Sequence, residues 1–195
     1  MGKVITNLTM SLDGFIAGPE DDAEQLFKWI FGGDTEIPVQ GGRMTLKMSQ
    51  ESARLLQDAI ETTGALVSGR RTFDLAGAWG GFPPFAPCFV VTHTVPQEWV
   101  KEGSPFTFVT DGVESAVKQA KAAAGEKDVA VTAASITQQC LKAGLLDEIN
   151  IDLAPVLLGG GIRLFDNLGP EPIQLETIRI VEAPGVTHLR LRVVK

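Results

Sequence analysis

The sequence predicts an α/β fold with a mixed, mainly parallel sheet that is closed by a C-terminal antiparallel hairpin. Two observations predict this fold class. Short apolar segments alternate with longer segments that carry apolar residues at helical spacing, which is typical of parallel strands covered by helices on both faces. At the end of the chain, apolar and polar residues alternate strictly from His188 to Val193. A period of two indicates a half-buried antiparallel strand.

The first half of the chain predicts two strands and two helices. The apolar run Val4 to Thr9 predicts the first strand, and Asp21 to Phe31 predicts a helix whose apolar residues share one face. Gly32 to Met48 contains glycines and a proline with little periodicity, so we expect a long loop that acts as a lid and decides specificity. Gln50 to Thr62 predicts a helix, and Ala65 to Val67 predicts a buried strand.

The second half continues the alternation and ends in the hairpin. Helices are expected over Val113 to Ala124 and over Ile136 to Ala143. A shift in the alternation between Leu175 and Ile178 predicts a bulge in the penultimate strand, Ile173 to Val181. The turn before the last strand is Ala183-Pro184-Gly185. The remaining strands are expected over Phe89 to Val91, Phe106 to Val109, Val129 to Val131 and Glu148 to Ala154.

The composition is that of a globular protein. The 195 residues are 44% hydrophobic and 21% charged, with a net charge of −7, and we expect a single domain over residues 1–195. A negative field repels nucleic acid and anionic membranes, and no apolar stretch approaches the ~20 residues that span a bilayer. We therefore expect a cytoplasmic protein whose partner is a small molecule.

Several common motifs are missing from the sequence. It contains no dinucleotide fingerprint, no P-loop and no nucleophile elbow. His93 and His188 have no obvious nucleophile or orienting partner, so a hydrolase triad is weakly supported, and no metal site is expected. We expect Cys88 and Cys140 to be buried thiols.

An anion site is the strongest local prediction. Arg70 and Arg71 follow a buried strand and Gly69, and guanidinium groups match phosphate oxygens bidentately. The alternative is that one or both arginines are simply exposed or pair with Asp74 or Glu61.

Three other segments carry possible functional groups. Thr92 and His93 follow another strand, where a hydroxyl and an imidazole would face a ligand at the sheet edge. Asp13 follows the first strand and either forms a turn or hydrogen-bonds a substrate. The glycines from Gly159 to Gly161 either approach a ligand closely or form a mobile turn.

Four motifs occur in one order over almost the whole chain. They are Ser11-Leu12-Asp13-Gly14-Phe15-Ile16-Ala17, Gly69-Arg70-Arg71-Thr72-Phe73, Val90-Val91-Thr92-His93, and Gly144-Leu145-Leu146-Asp147-Glu148 leading to Ala154-Pro155-Val156-Leu157-Leu158-Gly159-Gly160-Gly161. In this order they resemble the dihydrofolate-reductase-like superfamily. The resemblance is closest to the reductase (C-terminal) domain of the bifunctional riboflavin-biosynthesis deaminase/reductase and its stand-alone relatives.

The resemblance implies a dihydrofolate-reductase-like three-layer αβα sandwich that acts as an NADPH-dependent oxidoreductase and forms a homodimer. Hydride would pass to a pyrimidine- or pterin-like substrate, as in the riboflavin-biosynthesis reduction of 5-amino-6-(5-phosphoribosylamino)uracil. Asp13 matches the loop acid that anchors the substrate. The implied cofactor contacts are Ile16 and Ala17 at the nicotinamide, Gly69, Arg70, Arg71 and Thr72 at phosphates, Thr92 and His93 near the adenosine 2′-phosphate, and Thr132, Ala133, Ala134 and Ser135 at a further turn.

One departure from the family pattern keeps two other functions open. The family has a glycine-rich turn where this chain has Ala133 and Ala134, and a methyl group at a position that requires positive φ would weaken cofactor binding. A nucleotide-binding protein without turnover is therefore one alternative. A dihydrofolate-type reductase is the other, and it needs an acid such as Asp22 or Glu24 facing the pterin. Because the chain has no tyrosine, we expect protonation from Asp13, His93 or water.

Overall fold

The computed structural model describes residues 2–195, in which four α-helices and twelve strands are present. The longest helix has 13 residues, and within residues 2–195 no helix has the length and apolar character needed to cross a membrane. The elements are β1 (Val4–Ser11), β2 (Phe15–Ala17), β3 (Thr35–Val39), β4 (Met44–Met48), α1 (Gln50–Thr62), β5 (Thr63–Gly69), α2 (Arg70–Leu75), β6 (Cys88–Val91), β7 (Phe106–Val109), α3 (Val113–Ala124), β8 (Asp128–Val131), α4 (Ala134–Lys142), β9 (Glu148–Ala154), β10 (Ile162–Arg163), β11 (Leu175–Ala183) and β12 (Val186–Val193).

Eight strands form the central sheet, in the order β11-β12-β9-β1-β8-β5-β6-β7. The six strands from β9 to β7 pair in parallel, and β12 and β11 add an antiparallel edge. The predicted mixed sheet with a C-terminal hairpin is confirmed. The register of β11 against β12 shifts between Thr177 and Arg179, which confirms the predicted bulge.

Helices cover both faces of the sheet because side chains of the central strands alternate between two cores. Val67 on β5 and Val129 on β8 pack with α3 and α4. Leu66, the neighbour of Val67, packs with Phe73 of α2 on the opposite face, and α1 lies on that same face. We call the side that carries α1 and α2 the α1 face. The three-layer arrangement agrees with the prediction.

The predicted helix from Asp21 to Phe31 is wrong in type and length. The chain forms short 3₁₀ turns over Pro19–Asp21 and Glu24–Ile30 instead. The residue before the second turn, Ala23, has no side-chain acceptor to cap an α-helix, and two glycines follow the turn. Only Leu26 is buried in the second turn, so little apolar surface favours extending it.

The segment predicted as a lid is a β-hairpin. β3 and β4 pair antiparallel from Thr35 to Met48, and Met44, Leu46 and Met48 supply the alternating apolar pattern that the glycines obscured. Ile37 and Met48 pack on Ala53 of α1. Residues 32–48 do not line the cavity described below, so the expectation that this segment decides specificity is not supported by its position.

Both cysteines are buried free thiols, as the sequence predicted. Cys88 lies on β6 and Cys140 on α4. Burial raises the pKa of each thiol to about 12. The thiolate, which is the reactive form, is therefore scarce at neutral pH.

Candidate active site

The predicted site residues lie along one edge of the sheet, where β1, β8, β5 and β6 end. These four strands are parallel neighbours, so their carboxyl ends meet at the same edge. Asp13 follows β1, Gly69 ends β5, Thr92 follows β6 and Ala133 follows β8. Such an edge is where open α/β sheets bind ligands.

The Asp13 carboxylate is held by donors from its own protein. Ser11 Oγ donates to Asp13 Oδ1 at 2.6 Å, and the amides of Leu158 and Gly159 donate to its two oxygens at 3.1 and 2.7 Å. The Ser11 hydrogen bond, with smaller help from the two amides, lowers the pKa of Asp13 to about 2 against the opposing effect of desolvation. Asp13 therefore remains ionised at neutral pH. It fastens the loop that contains Gly159 to Gly161, called the glycine-rich loop below, to the end of β1.

The glycine-rich loop closes on the protein's own backbone rather than leaving open space for a ligand. Gly161 has a φ of +123°, and a Cβ at this position would overlap the carbonyl oxygen of Ala17. The contact lets β10 pair with β2. Arg163 of β10 stacks over the Phe15 ring at 4.5 Å and donates to the Asp13 carbonyl at 3.3 Å. Together these contacts position Ile16 and Ala17 at the edge.

Both arginines of the predicted anion site have carboxylate partners. Arg70 Nε donates to both oxygens of Asp74 at 2.8 and 2.9 Å, which was one of the sequence alternatives. Arg71 pairs instead with Asp21 at 2.8 Å, a residue 50 positions earlier that local reasoning did not identify. Both pairs are exposed and therefore weak, so an incoming phosphate can compete for either guanidinium group.

Thr92 and His93 differ in their availability to a ligand. The Thr92 hydroxyl is buried and donates to the carbonyl oxygen of Thr94 at 2.8 Å. Arg70 Nη1 reaches the same carbonyl oxygen at 2.7 Å. The side chain of His93 is exposed. Thr92 therefore shapes the turn beside Arg70, while His93 is open to solvent.

Ala133 is strained in the way that the departure from the glycine-rich turn predicted. It has a φ of +83° and a ψ of +138° and precedes the first turn of α4. Side chains rarely adopt this conformation. Ala134 lies inside the helix, so only one of the two alanines carries the strain. A Cβ on Gly69 would lie 3.3 Å from the Ala133 methyl group, which shows how closely the turns after β5 and β8 approach.

The edge offers donors that fit a dinucleotide phosphate group. No side chain caps the N-terminus of α4, and the first-turn amides of a helix have no intrahelical acceptor. Their dipoles favour anions. Two arginines stand at the neighbouring strand end, and Gly69 there packs closely against Ala133 and Ile136 of the α4 start. The donor set therefore fits the phosphates of a dinucleotide, with the Ala133 methyl group and the carboxylates of Asp74 and Asp21 as unfavourable features.

A cavity of about 350 Å³ lies on the α1 face. α1 forms one wall, and the sheet strands β1, β8, β9, β12 and β11 form the other. Its volume lies in the range of small-molecule sites. The polar and aromatic side chains on its walls include Trp29, Ser52, Asn150, Asp152 and His188.

Three side chains in this cavity form a hydrogen-bonded chain that the sequence analysis missed. His188 Nδ1 lies 2.7 Å from Asp152 Oδ1, and His188 Nε2 lies 2.8 Å from Ser52 Oγ. The conclusion that the histidines have no obvious nucleophile or orienting partner is thus wrong for His188. The partners are 136 and 36 residues away in sequence, although alternating polar residues on β9 and β12 could have placed Asp152 and His188 on one face.

Two polar atoms in the cavity wall have no partner among residues 2–195. Trp29 Nε1 is a buried donor and Asn150 Oδ1 is a buried acceptor. The Trp29 ring also meets His188 edge-on, with a centroid separation of 5.3 Å. Buried polar atoms in proteins are almost always paired. Neither atom is open to the cavity, so both are unsatisfied polar groups within its wall.

The acids proposed for dihydrofolate-type reduction lie elsewhere. Asp22 Oδ1 accepts from the Glu24 amide at 3.0 Å, and both residues are exposed. Neither lines the cavity within the described part of the chain. A pterin in the cavity would therefore not meet either acid.

Comparison with known proteins identifies the relatives of this chain. The RibD C-terminal domain model matches residues 2–189. The uncharacterised protein YwjB of Bacillus subtilis is 24% identical over 171 residues, which covers 87% of this chain and 86% of YwjB.

Solved structures share the fold. A putative riboflavin biosynthesis protein from Shewanella sp. PV-4 superposes with a TM-score of 0.77 at 22% identity and covers 99% of each chain. Dihydrofolate reductase from Enterococcus faecalis, solved in complex with NADP(H), gives a TM-score of 0.59 at 14% identity and covers 100% of this chain and 98% of its own. The dihydrofolate-reductase-like fold that the four motifs predicted is confirmed.

Proposed function

The chain belongs to the RibD C-terminal domain family, a family of reductases of the riboflavin-pathway type, and from that membership we propose that it is an NADPH-dependent reductase. It transfers hydride to a pyrimidine- or pterin-like substrate, as in the reduction of 5-amino-6-(5-phosphoribosylamino)uracil. One observation carries this proposal. Arg70, Arg71 and the uncapped start of α4 stand at one sheet edge, in a protein whose α1 face carries a cavity with polar side chains.

The cofactor phosphates are held by this edge. Arg70 and Arg71 exchange Asp74 and Asp21 for phosphate oxygens, because two negative charges attract a guanidinium group more strongly than one. The amides at the start of α4 receive a further phosphate group. Thr72, Thr92, His93, Thr132 and Ser135 complete the contacts, and Ile16 and Ala17 face the nicotinamide.

The substrate ring occupies the cavity on the α1 face. Ser52 and Asp152 on the cavity wall offer hydrogen-bond partners to the ring carbonyl and N–H groups. An –NH–CO– edge is found in pyrimidinediones and in pterins. Asp13 serves as a positioning residue that fixes the loops flanking the nicotinamide end.

When bound, NADPH supplies the hydride, and the protein supplies orientation and excludes water. The protein works as one domain over residues 1–195, as a cytoplasmic homodimer. A nucleotide-binding protein without turnover is the second candidate, favoured by the strained Ala133.

The experiment that tests the cofactor site is a fluorescence titration with NADPH and NADH. We expect tighter binding of NADPH, about tenfold weaker binding in Arg71→Ala, and tighter binding in Asp21→Asn, which frees Arg71. Arg54→Ala on the exposed side of α1 is the matched control. Equal binding in all four proteins would place the phosphates elsewhere.

Turnover separates the two candidate functions. NADPH oxidation is measured with 5-amino-6-(5-phosphoribosylamino)uracil and with dihydrofolate. Oxidation above the rate without protein supports the reductase. Tight NADPH binding with no oxidation in either mixture supports the binding protein.

A further inference from the structure

We propose that Ser52, His188 and Asp152 form a proton relay that protonates the substrate during hydride transfer. This proposal rests on the proposed function, since it names residues that serve the same reaction. Ser52 is the catalytic residue because it lines the cavity and its hydroxyl meets His188 Nε2. His188 and Asp152 act through it.

The reaction needs a proton donor, and neither side chain expected from the sequence supplies one inside the cavity. Reduction of a carbonyl or imine adds a hydride to carbon and a proton to oxygen or nitrogen. Asp13 has a pKa lowered to about 2 and is ionised at neutral pH. His93 is exposed beyond β6, outside the described cavity lining, and the chain contains no tyrosine. His188 is the histidine in the cavity wall.

The hydrogen bonds fix the direction of the relay. The carboxylate of Asp152 only accepts, so His188 Nδ1 must donate to it at 2.7 Å. In the neutral ring, Nε2 then accepts from the Ser52 hydroxyl at 2.8 Å. In the protonated ring, Nε2 donates to Ser52 Oγ, which frees the Ser52 hydroxyl hydrogen for the substrate.

The relay lies close to the edge where the hydride would arrive. His188 pairs with Asp152, Asp152 pairs with Thr9 on β1, and Ser11 ends β1 two residues later. Two residues of strand span about 7 Å. The relay is therefore about one pleat below the carboxyl edge, on the α1 face.

The surroundings of the relay hold the His188 ring in one position. His188 is 8% exposed and Ser52 is 2% exposed, while Trp29 covers the ring edge-on. Asp152 is the carboxylate in direct contact. The other charged groups on the cavity wall are Asp58 and Glu61 on α1, Asp128 on β8, Arg179 on β11 and Arg190 on β12, and Arg190 pairs with Glu148 at 2.7 Å.

Each relay step moves one proton and no additional electrons. As the substrate carbon accepts the hydride from the cofactor, the π electrons of its C=N or C=O bond move to the heteroatom. That heteroatom takes the Ser52 hydroxyl proton, and Ser52 Oγ takes the proton from His188 Nε2. The neutral ring then regains a proton from water that enters the cavity.

The test compares pH profiles of kcat and KM with 5-amino-6-(5-phosphoribosylamino)uracil. We expect wild-type kcat to fall at high pH as the relay loses its proton. His188→Gln should lower kcat about a hundredfold with a smaller change in KM and a flat profile. Ser52→Ala and Asp152→Asn should also lower kcat, whereas NADPH affinity should stay constant. Thr137→Val is the matched control, because it removes a buried hydroxyl hydrogen bond of 2.9 Å on the opposite face.

Two further readouts distinguish a relay from a structural role. Imidazole added to His188→Ala should restore part of kcat, which a purely structural histidine would not show. NMR of the free protein should find the neutral ring protonated on Nδ1, and Asp152→Asn should lose this preference. A wild-type pH profile retained in His188→Gln would overturn the relay alone. Absence of turnover in the wild-type protein would overturn the proposed function and the relay with it.

Discussion

Ala133 is the residue whose backbone conformation bears most directly on ligand binding. Its positive φ holds the start of α4 against Gly69, and a non-glycine residue in such a conformation costs on the order of 1–3 kcal/mol. The chain therefore stores strain where the phosphate donors converge. Stored strain of this kind is typical of ligand sites.

Ala133→Gly should stabilise the protein and tighten NADPH binding. Relief of the strain outweighs the extra freedom of glycine in the unfolded chain, so we expect a gain of about 1 kcal/mol in the free energy of unfolding. Urea unfolding and NADPH titration measure the two effects. Ala122→Gly is the matched control, because Ala122 is exposed inside α3 and the change should cost about 0.5–1 kcal/mol. Destabilisation by both changes would contradict the strain at Ala133.

Asp13 should make the free energy of unfolding depend on pH in the acid range. Its pKa is lowered from 3.8 to about 2 in the folded protein, so its contribution is complete above the unfolded pKa and is lost as pH falls from about 4 through 2. Asp13→Asn should therefore be less stable than wild type at pH 7, with a difference that shrinks towards pH 3. Urea unfolding at several pH values measures this. A difference independent of pH would show that the carboxylate charge does not stabilise the loop.

At the scale of elements, α1 carries the side chains that face the cavity. Ser49 caps it by accepting from the Ser52 amide at 3.2 Å. The hairpin of β3 and β4 packs on α1 through Ile37 and Met48. The hairpin thus supports the wall of the cavity from outside, and the position of Ser52 depends on the cap.

Ser49→Ala should destabilise the protein by about 1 kcal/mol, because the first turn of α1 loses its acceptor. Ser115→Ala on α3 is the control, since Ser115 only accepts from Gln119 at the surface. We expect that control to stay within about 0.5 kcal/mol of wild type. Urea denaturation of both variants tests the prediction, and an equal loss in the two would argue against the cap.

At the scale of the whole molecule, the exposed apolar edge strand β11 favours a homodimer. Leu175, Ile178 and Ile180 are 42%, 39% and 60% exposed. An exposed apolar edge strand is a template for pairing with another chain. The acidic net charge of −7 does not prevent contact through such a strip, because salt screens charges beyond about 8–10 Å.

Sedimentation of the wild-type protein should show a species of twice the 20.8 kDa chain mass. Ile180→Lys should shift it to the monomer, because a buried lysine at the contact costs more than the contact gains. Leu75→Lys is the matched control, since Leu75 on α2 is also 60% exposed. A wild-type monomer at micromolar concentration would reject the dimer.

The sequence by itself determined the alternation of strands and helices, the bulge near Ile178 and the placement of the site residues at strand ends. These features depend on local periodicity and on residues that follow strand ends. It misjudged Asp21 to Phe31 and the β3–β4 hairpin, where glycines and weak caps obscured the pattern. Periodicity in the sequence is enough to predict a helix or strand when the residues that form it are neighbours in the chain.

Only the tertiary structure decided the partners of Arg71 and His188. Asp21 is 50 residues from Arg71, and Ser52 is 136 residues from His188. No periodicity connects residues so far apart, because their contact depends on how the sheet strands pair and where α1 lies on the sheet. The edge that can hold a cofactor was readable in the sequence, whereas the cavity and its hydrogen-bonded chain arise from long-range packing.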